Sequence, residues 1–87
     1  MLFLNIYTYK EGKREEIIAQ RMEKGRGEPE GTKVLGEWTS LDGSGGYMLF
    51  ETDNPDYMWT MMWNDLLDIE IIPILDTEKD VMSLLKE

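Results

Sequence analysis

Residues 33–52, KVLGEWTSLDGSGGYMLFET, carry the clearest fold signal in the chain. Two runs of β-forming residues, 33–41 and 47–52, flank the segment 42–46, which consists of glycine, serine and aspartate. A segment of this composition between two β-type runs is typical of a hairpin turn. The stretch therefore predicts two neighbouring antiparallel strands.

On the N-terminal side of this hairpin, the sequence predicts one strand and one helix. Residues 1–9 are rich in β-formers and predict the strand. Residues 13–24 predict the helix, because Gly25 follows as a stop signal and four residues repeat at helical spacing: Ile17, Ile18, Arg21 and Met22. The glycine-rich residues 25–31 predict a loop.

On the C-terminal side of the hairpin, the sequence predicts a helix followed by a strand. The sequence Asp53-Asn54-Pro55 predicts the start of a helix that runs to about residue 65. Residues 69–75 predict the last strand, and Pro73 predicts that it lies at a sheet edge, because proline cannot donate a ladder hydrogen bond. A capping pattern from Thr77 predicts a short terminal helix.

This order, β-α-β-β-α-β followed by a tail helix, predicts an α+β ferredoxin-like sandwich. We expect a single domain over residues 1–87, with both helices on one face of an antiparallel sheet. Alternation along the strands assigns Leu2, Leu4 and Ile6 to the helix side. It assigns six other residues to the open face: Phe3, Asn5, Tyr7, Trp38, Tyr47 and Leu49. A monomer rarely exposes so large an apolar face, so we expect two copies to pair face to face.

The composition excludes several classes of function. The chain carries 18 acidic and 9 basic residues, and the resulting net charge of −9 opposes binding to nucleic acid or to anionic membranes. It has no cysteine and no histidine, so disulfides, histidine-based metal sites and Ser-His nucleophiles are excluded. We predict no metal and no cofactor. The N-terminus lacks signal-peptide features, so we expect a cytoplasmic protein.

Three stretches of the sequence resemble a family of uncharacterised prokaryotic domains in the dimeric α/β-barrel superfamily. They are MLFL at residues 1–4, LGEW at residues 35–38 and WNDLLDIEIIPILD at residues 63–76. The resemblance implies that the chain pairs as a dimeric α/β barrel with a pocket between sheet and helices in each subunit. In haem-degrading members, an Asn, a Trp and a His act together. Asn5 and either Trp59 or Trp63 match the first two, but the His has no counterpart.

Two groups of residues are candidates for a ligand site. Asn5, Tyr7, Trp38 and Tyr47 combine polar tips with apolar bodies, as small-molecule pockets do, although a dimer interface uses the same residue types. Trp59 and Trp63 lie one helical turn apart in a methionine-rich helix, which suits either a ligand wall or core packing. Carboxylates such as Glu37 and Asp68 are more simply interpreted as solvated surface groups.

Three functions therefore remain open at the level of sequence. The preferred one is a homodimeric module that binds a small apolar or aromatic molecule. The second is a cofactor-independent enzyme, an oxygenase or isomerase, that uses Asn5 and Tyr7. The third is a structural subunit whose sheet face is filled by the partner chain. No catalytic motif is recognisable, so we favour a protein that is not an enzyme.

Overall fold

The structure, a computed structural model, describes residues 1–86. Four strands and two helices follow one another in the order β1 (Leu2–Tyr9), α1 (Arg14–Lys24), β2 (Lys33–Thr39), β3 (Gly45–Glu51), α2 (Tyr57–Trp63) and β4 (Leu67–Ile74). A π-helical segment (Thr77–Met82) and the short α3 (Ser83–Leu85) follow. This order confirms the predicted α+β, ferredoxin-like arrangement with a helical tail.

The strands form one antiparallel sheet in the order β2-β3-β1-β4. The edge position predicted from Pro73 is confirmed, because β1 is the only strand within residues 1–86 that pairs with β4. The hairpin predicted from residues 33–52 is also confirmed, with β2 and β3 paired from Lys33 opposite Glu51 to Thr39 opposite Gly46. Both helices cover the same sheet face: Ile17 of α1 and Trp59 of α2 pack against residues of that face.

The assignment of β1 to the two faces was wrong. In the observed register, Phe3 lies opposite Phe50, Asn5 opposite Met48 and Tyr7 opposite Gly46. Partners across a sheet share a face, and Phe3, Met48 and Phe50 form a buried cluster against Trp59. Phe3, Asn5 and Tyr7 therefore lie beneath the helices. Both alternations of β1 are apolar, so its own pattern did not distinguish the two faces.

The open face is confirmed for the three residues assigned to it from β2 and β3. Trp38 and Tyr47 are paired neighbours that are 54% and 44% exposed, and Leu49 belongs to the same alternation. On β1, this face carries the aliphatic residues that we had expected beneath the helices: Leu2, Leu4 and Ile6. The face therefore remains largely apolar, but it is aliphatic along β1 and aromatic only towards β2.

The residues that cap the second helix and the tail differ from the predicted ones, by two positions towards the C-terminus in α2 and by one position towards the N-terminus in the tail. Asp56, not Asn54, caps α2, because its carboxylate accepts from the backbone N–H of Met58 at 2.9 Å. In the tail, Asp76 replaces Thr77 as the cap and accepts from the N–H of Lys79 at 3.0 Å. Gly25 ends α1 as predicted, with a φ of 65°. None of the helices in residues 1–86 has the length and apolar character to cross a membrane.

Candidate functional site

A cavity of about 440 Å³ lies between the two helices and the sheet. Its walls are mainly apolar, with side chains from both helices and from the helix-facing side of the strands, among them Ile17, Met48, Phe50, Trp59, Trp63 and Leu67. Phe50 belongs to an aromatic group in which its ring stacks on Phe3, at 5.3 Å between centroids, and meets the edge of Trp59 at 5.0 Å. The volume is within the range of small-molecule sites.

The structure brings four of the six predicted site residues together in this cavity. Asn5 and Tyr7 belong to β1, Trp59 and Trp63 belong to α2, and all four line the cavity. The other two, Trp38 and Tyr47, lie on the opposite face of the sheet. There the Trp38 ring lies over Gly36, where a Cβ would collide with it. The single group of polar-tipped aromatics expected from the sequence is thus divided between two surfaces.

The two tryptophans of α2 are held by one acceptor. The indole N–H groups of Trp59 and Trp63 both donate to the backbone carbonyl of Arg26, at 2.9 Å and 3.1 Å. This shared bond ties α2 to the loop after α1, and Gln20 adds a second link by donating to the carbonyl of Met62 at 3.0 Å. Because their polar tips are used structurally, the indoles offer a ligand only their apolar rings.

Asn5 is the unsatisfied polar group of the cavity. Its Oδ1 atom is buried and has no hydrogen-bond partner within residues 1–86. A buried acceptor without a partner costs about 1–3 kcal/mol. The side chain lies in the cavity lining, so a ligand with an O–H or N–H group, or a water molecule, can supply the missing donor.

Tyr7 presents a second polar group to the same space. Burial, helped by the negative charge of Glu37, raises the pKa of Tyr7 to about 12, so its hydroxyl remains protonated at neutral pH. Gly46 makes room for this ring, since a Cβ there would lie 2.6 Å from the Tyr7 hydroxyl oxygen. Tyr7 is thus a neutral hydroxyl at neutral pH, not a base.

An ion-pair cluster at the cavity wall was missed by sequence reasoning. Arg21 donates through both terminal nitrogens to the Glu37 carboxylate, at 2.6 Å and 2.8 Å, and Arg26 Nε donates to it at 3.0 Å. The Glu37 side chain is 19% exposed, so it is not the solvated carboxylate that we had expected. Two signals pointed to it: Arg21 repeats with the apolar stripe of α1, and Glu37 lies in a strand interior.

Comparison with known proteins identifies the family of the chain. A profile described as "Domain of unknown function (DUF3303)" matches residues 1–87. The chain belongs to this family. The predicted resemblance to an uncharacterised family is therefore confirmed, and the assignment to the dimeric α/β-barrel superfamily stays a prediction. Searches of curated proteins and of solved structures found no significant match.

The ion-pair cluster of this DUF3303 domain makes its stability depend on acid pH. Hydrogen bonds from Arg21, and then from Arg26, lower the pKa of Glu37 below its ordinary value of 4.5 against the opposing effect of burial. A lowered folded-state pKa gives stability that is present above the unfolded-state pKa. This stability is lost as the pH falls through the folded-state value.

We expect the free energy of unfolding of the wild type to fall more steeply below pH 4.5 than that of Glu37→Gln. Urea unfolding at a series of pH values measures both slopes. Glu30→Gln, a change at an exposed loop carboxylate, is the matched control and should keep the wild-type slope. Parallel curves for wild type and Glu37→Gln would show that the cluster does not contribute to acid sensitivity.

Proposed function

We propose that this domain binds a small, largely apolar or aromatic molecule in the cavity between its helices and its sheet. The single observation that carries the proposal is Asn5, which lines a cavity of about 440 Å³ and whose buried Oδ1 atom has no hydrogen-bond partner among residues 1–86. Small-molecule sites usually combine an apolar wall with a few convergent polar groups. Asn5, Tyr7 and the tryptophan rings of α2 form such a combination.

Two features weigh against packing alone as the purpose of this arrangement. Helices and sheets normally pack closely against each other, and a partly open cavity of this size leaves apolar lining in contact with water and forfeits dispersion contacts. An amide in a purely structural position would be expected to find a partner, because an unsatisfied buried group is costly. A purely structural subunit would need neither the void nor the Asn5 amide.

The test is isothermal titration calorimetry with 2-naphthol, a neutral aromatic probe with one O–H donor. We expect wild type to bind and Asn5→Ala to bind about fivefold to tenfold more weakly, as for loss of one hydrogen bond. The stability of free Asn5→Ala should stay equal or rise, because the variant removes an unsatisfied acceptor. This opposite movement of affinity and stability separates a binding role from a structural one.

Asn54→Ala is the matched control for this experiment. Asn54 is an exposed asparagine in the turn before α2, so its side chain lies outside the cavity. The control should bind 2-naphthol as wild type does. Equal binding by wild type and Asn5→Ala would remove Asn5 from the site, and the absence of binding to wild type would contradict the proposed function.

We also propose that the binding module is a homodimer built on its open sheet face. The support is the composition of that face: an aliphatic row from Leu2 to Ile6 on β1 continues through Leu49 to the exposed Tyr47 and Trp38. The hydrophobic effect favours removing such a face from water, and a symmetric pair covers it with the same surface. The cavities lie on the other side of each sheet, so pairing leaves them in place.

A further inference from the structure

We infer that the ligand of this cavity is a planar aromatic anion that also carries one hydroxyl or N–H group. The inference rests on the proposed function and names the chemical class of its ligand. It follows from the charged groups in the cavity lining, whose net charge differs in sign from that of the otherwise acidic chain.

The charge of the cavity is opposite in sign to the charge of the protein. The chain has a net charge of −9. Within residues 1–86, the charged residues that line the cavity are two positive groups, Arg21 and Arg26, and one negative group, Glu37, with a sum of +1. Arg26 also approaches Glu28 at 3.6 Å, but both side chains are 36% exposed, so solvent weakens that pair. The lining itself therefore has a net charge of one positive unit on a negative molecule, and Glu28 outside the lining offsets part of that charge.

The two guanidinium groups are positioned but not saturated. Glu37 accepts from both terminal nitrogens of Arg21 and from Arg26 Nε, which fixes the orientation of both side chains. Arginine has more N–H donors than this one carboxylate uses, so donors remain for a second anion. A ligand carboxylate or another small anionic group on an aromatic ring is the chemistry that such planar donors recognise.

A second requirement, that the ligand carry a hydrogen-bond donor, comes from β1. The Asn5 Oδ1 atom needs a donor, and the Tyr7 hydroxyl lies on the same strand and lines the same cavity. A ligand hydroxyl or N–H group satisfies Asn5, while the ring lies among Phe50, Trp59 and Trp63. The cavity of about 440 Å³ has room for a two-ring aromatic body between these polar groups.

The experiment compares two probes that differ by one carboxylate, 2-naphthol and 6-hydroxy-2-naphthoate, by calorimetry at pH 7 and low salt. We expect the anion to bind wild type about tenfold more tightly than the neutral probe, in spite of the net charge of the chain. Added salt should reduce this advantage, because screening weakens charge interactions at a partly open site.

Two substitutions should move the affinity of the anion in opposite directions. Glu37→Gln raises the charge of the cavity and frees the guanidinium groups, so the anion should bind about tenfold more tightly. Arg26→Gln lowers that charge and should weaken binding of the anion about tenfold. Lys24→Gln, the control, changes the charge of the chain equally but lies outside the cavity lining, and it should have little effect.

The neutral probe reports on the cavity itself. Each variant should bind 2-naphthol within about twofold of wild type, which shows that the fold and the cavity persist. If 2-naphthol binds while the anion binds no better, or if Glu37→Gln fails to tighten it, the ligand class is wrong and the proposed function stands. If neither probe binds wild type, both proposals are overturned.

Discussion

Phe50→Ala should lower the free energy of unfolding by about 3–5 kcal/mol, the usual range for a phenylalanine removed from a core. Phe50 is 4% exposed and joins the sheet to α2, because it stacks on Phe3 and meets the edge of Trp59. Its loss would also enlarge the existing cavity, and the cost of such a substitution increases with the volume that the neighbouring side chains leave unfilled. Urea unfolding followed by far-UV circular dichroism measures the change.

Met22→Ala is the control for this substitution, since Met22 is 83% exposed on α1 and its truncation should cost less than about 0.5 kcal/mol. If Phe50→Ala unfolds fully, Phe50→Leu keeps the measurement possible and should lose a smaller amount. A loss below about 1 kcal/mol in Phe50→Ala would contradict the assignment of Phe50 to the core, and with it the packing of α2 on the sheet.

Tyr47→Glu should weaken self-association at least about 100-fold, because it places a charge in the middle of the proposed apolar interface. Tyr47 belongs to the inner strand β3 and is 44% exposed in the single chain, so the variant can fold without burying the new carboxylate. In a symmetric dimer the substitution acts twice, once from each copy. Sedimentation equilibrium over a range of concentrations gives the dissociation constant.

Tyr57→Glu makes the same chemical change on the other side of the molecule. Tyr57 begins α2 and is 72% exposed, so this variant should associate as wild type does. A wild type that stays monomeric at all concentrations would contradict the homodimer outright. Equal association of the two variants would show that the chain pairs through a surface other than the open sheet face.

The strands and their order could be predicted from sequence, but the faces of β1 could not. Leu2 and Phe3 begin two alternations that are both apolar, and periodicity cannot rank two apolar faces. The distinction comes from pairing, because Phe3 lies opposite Phe50, which alternates with the correctly assigned open-face residues Tyr47 and Leu49 and so lies on the helix side of β3. Register is a property of two strands together, and one strand's pattern does not contain it.

Of the candidate site, the two tryptophans of α2 could be predicted from the sequence, whereas the position of Tyr7 and the ion-pair cluster could not. Trp59 and Trp63 recur at the spacing of one helix face, so sequence placed them side by side. Glu37 and Arg26 come from a strand and a loop that meet only in the folded chain.

The most direct test of the central claim is to map where 2-naphthol binds, by recording backbone amide chemical shifts of the labelled protein during a titration. We expect saturable shifts at amides around the cavity, including those of Tyr7, Met48 and Trp59, with little change at Trp38 on the open face. Shifts confined to the open face, or no saturable shifts at all, would contradict a ligand site between the helices and the sheet.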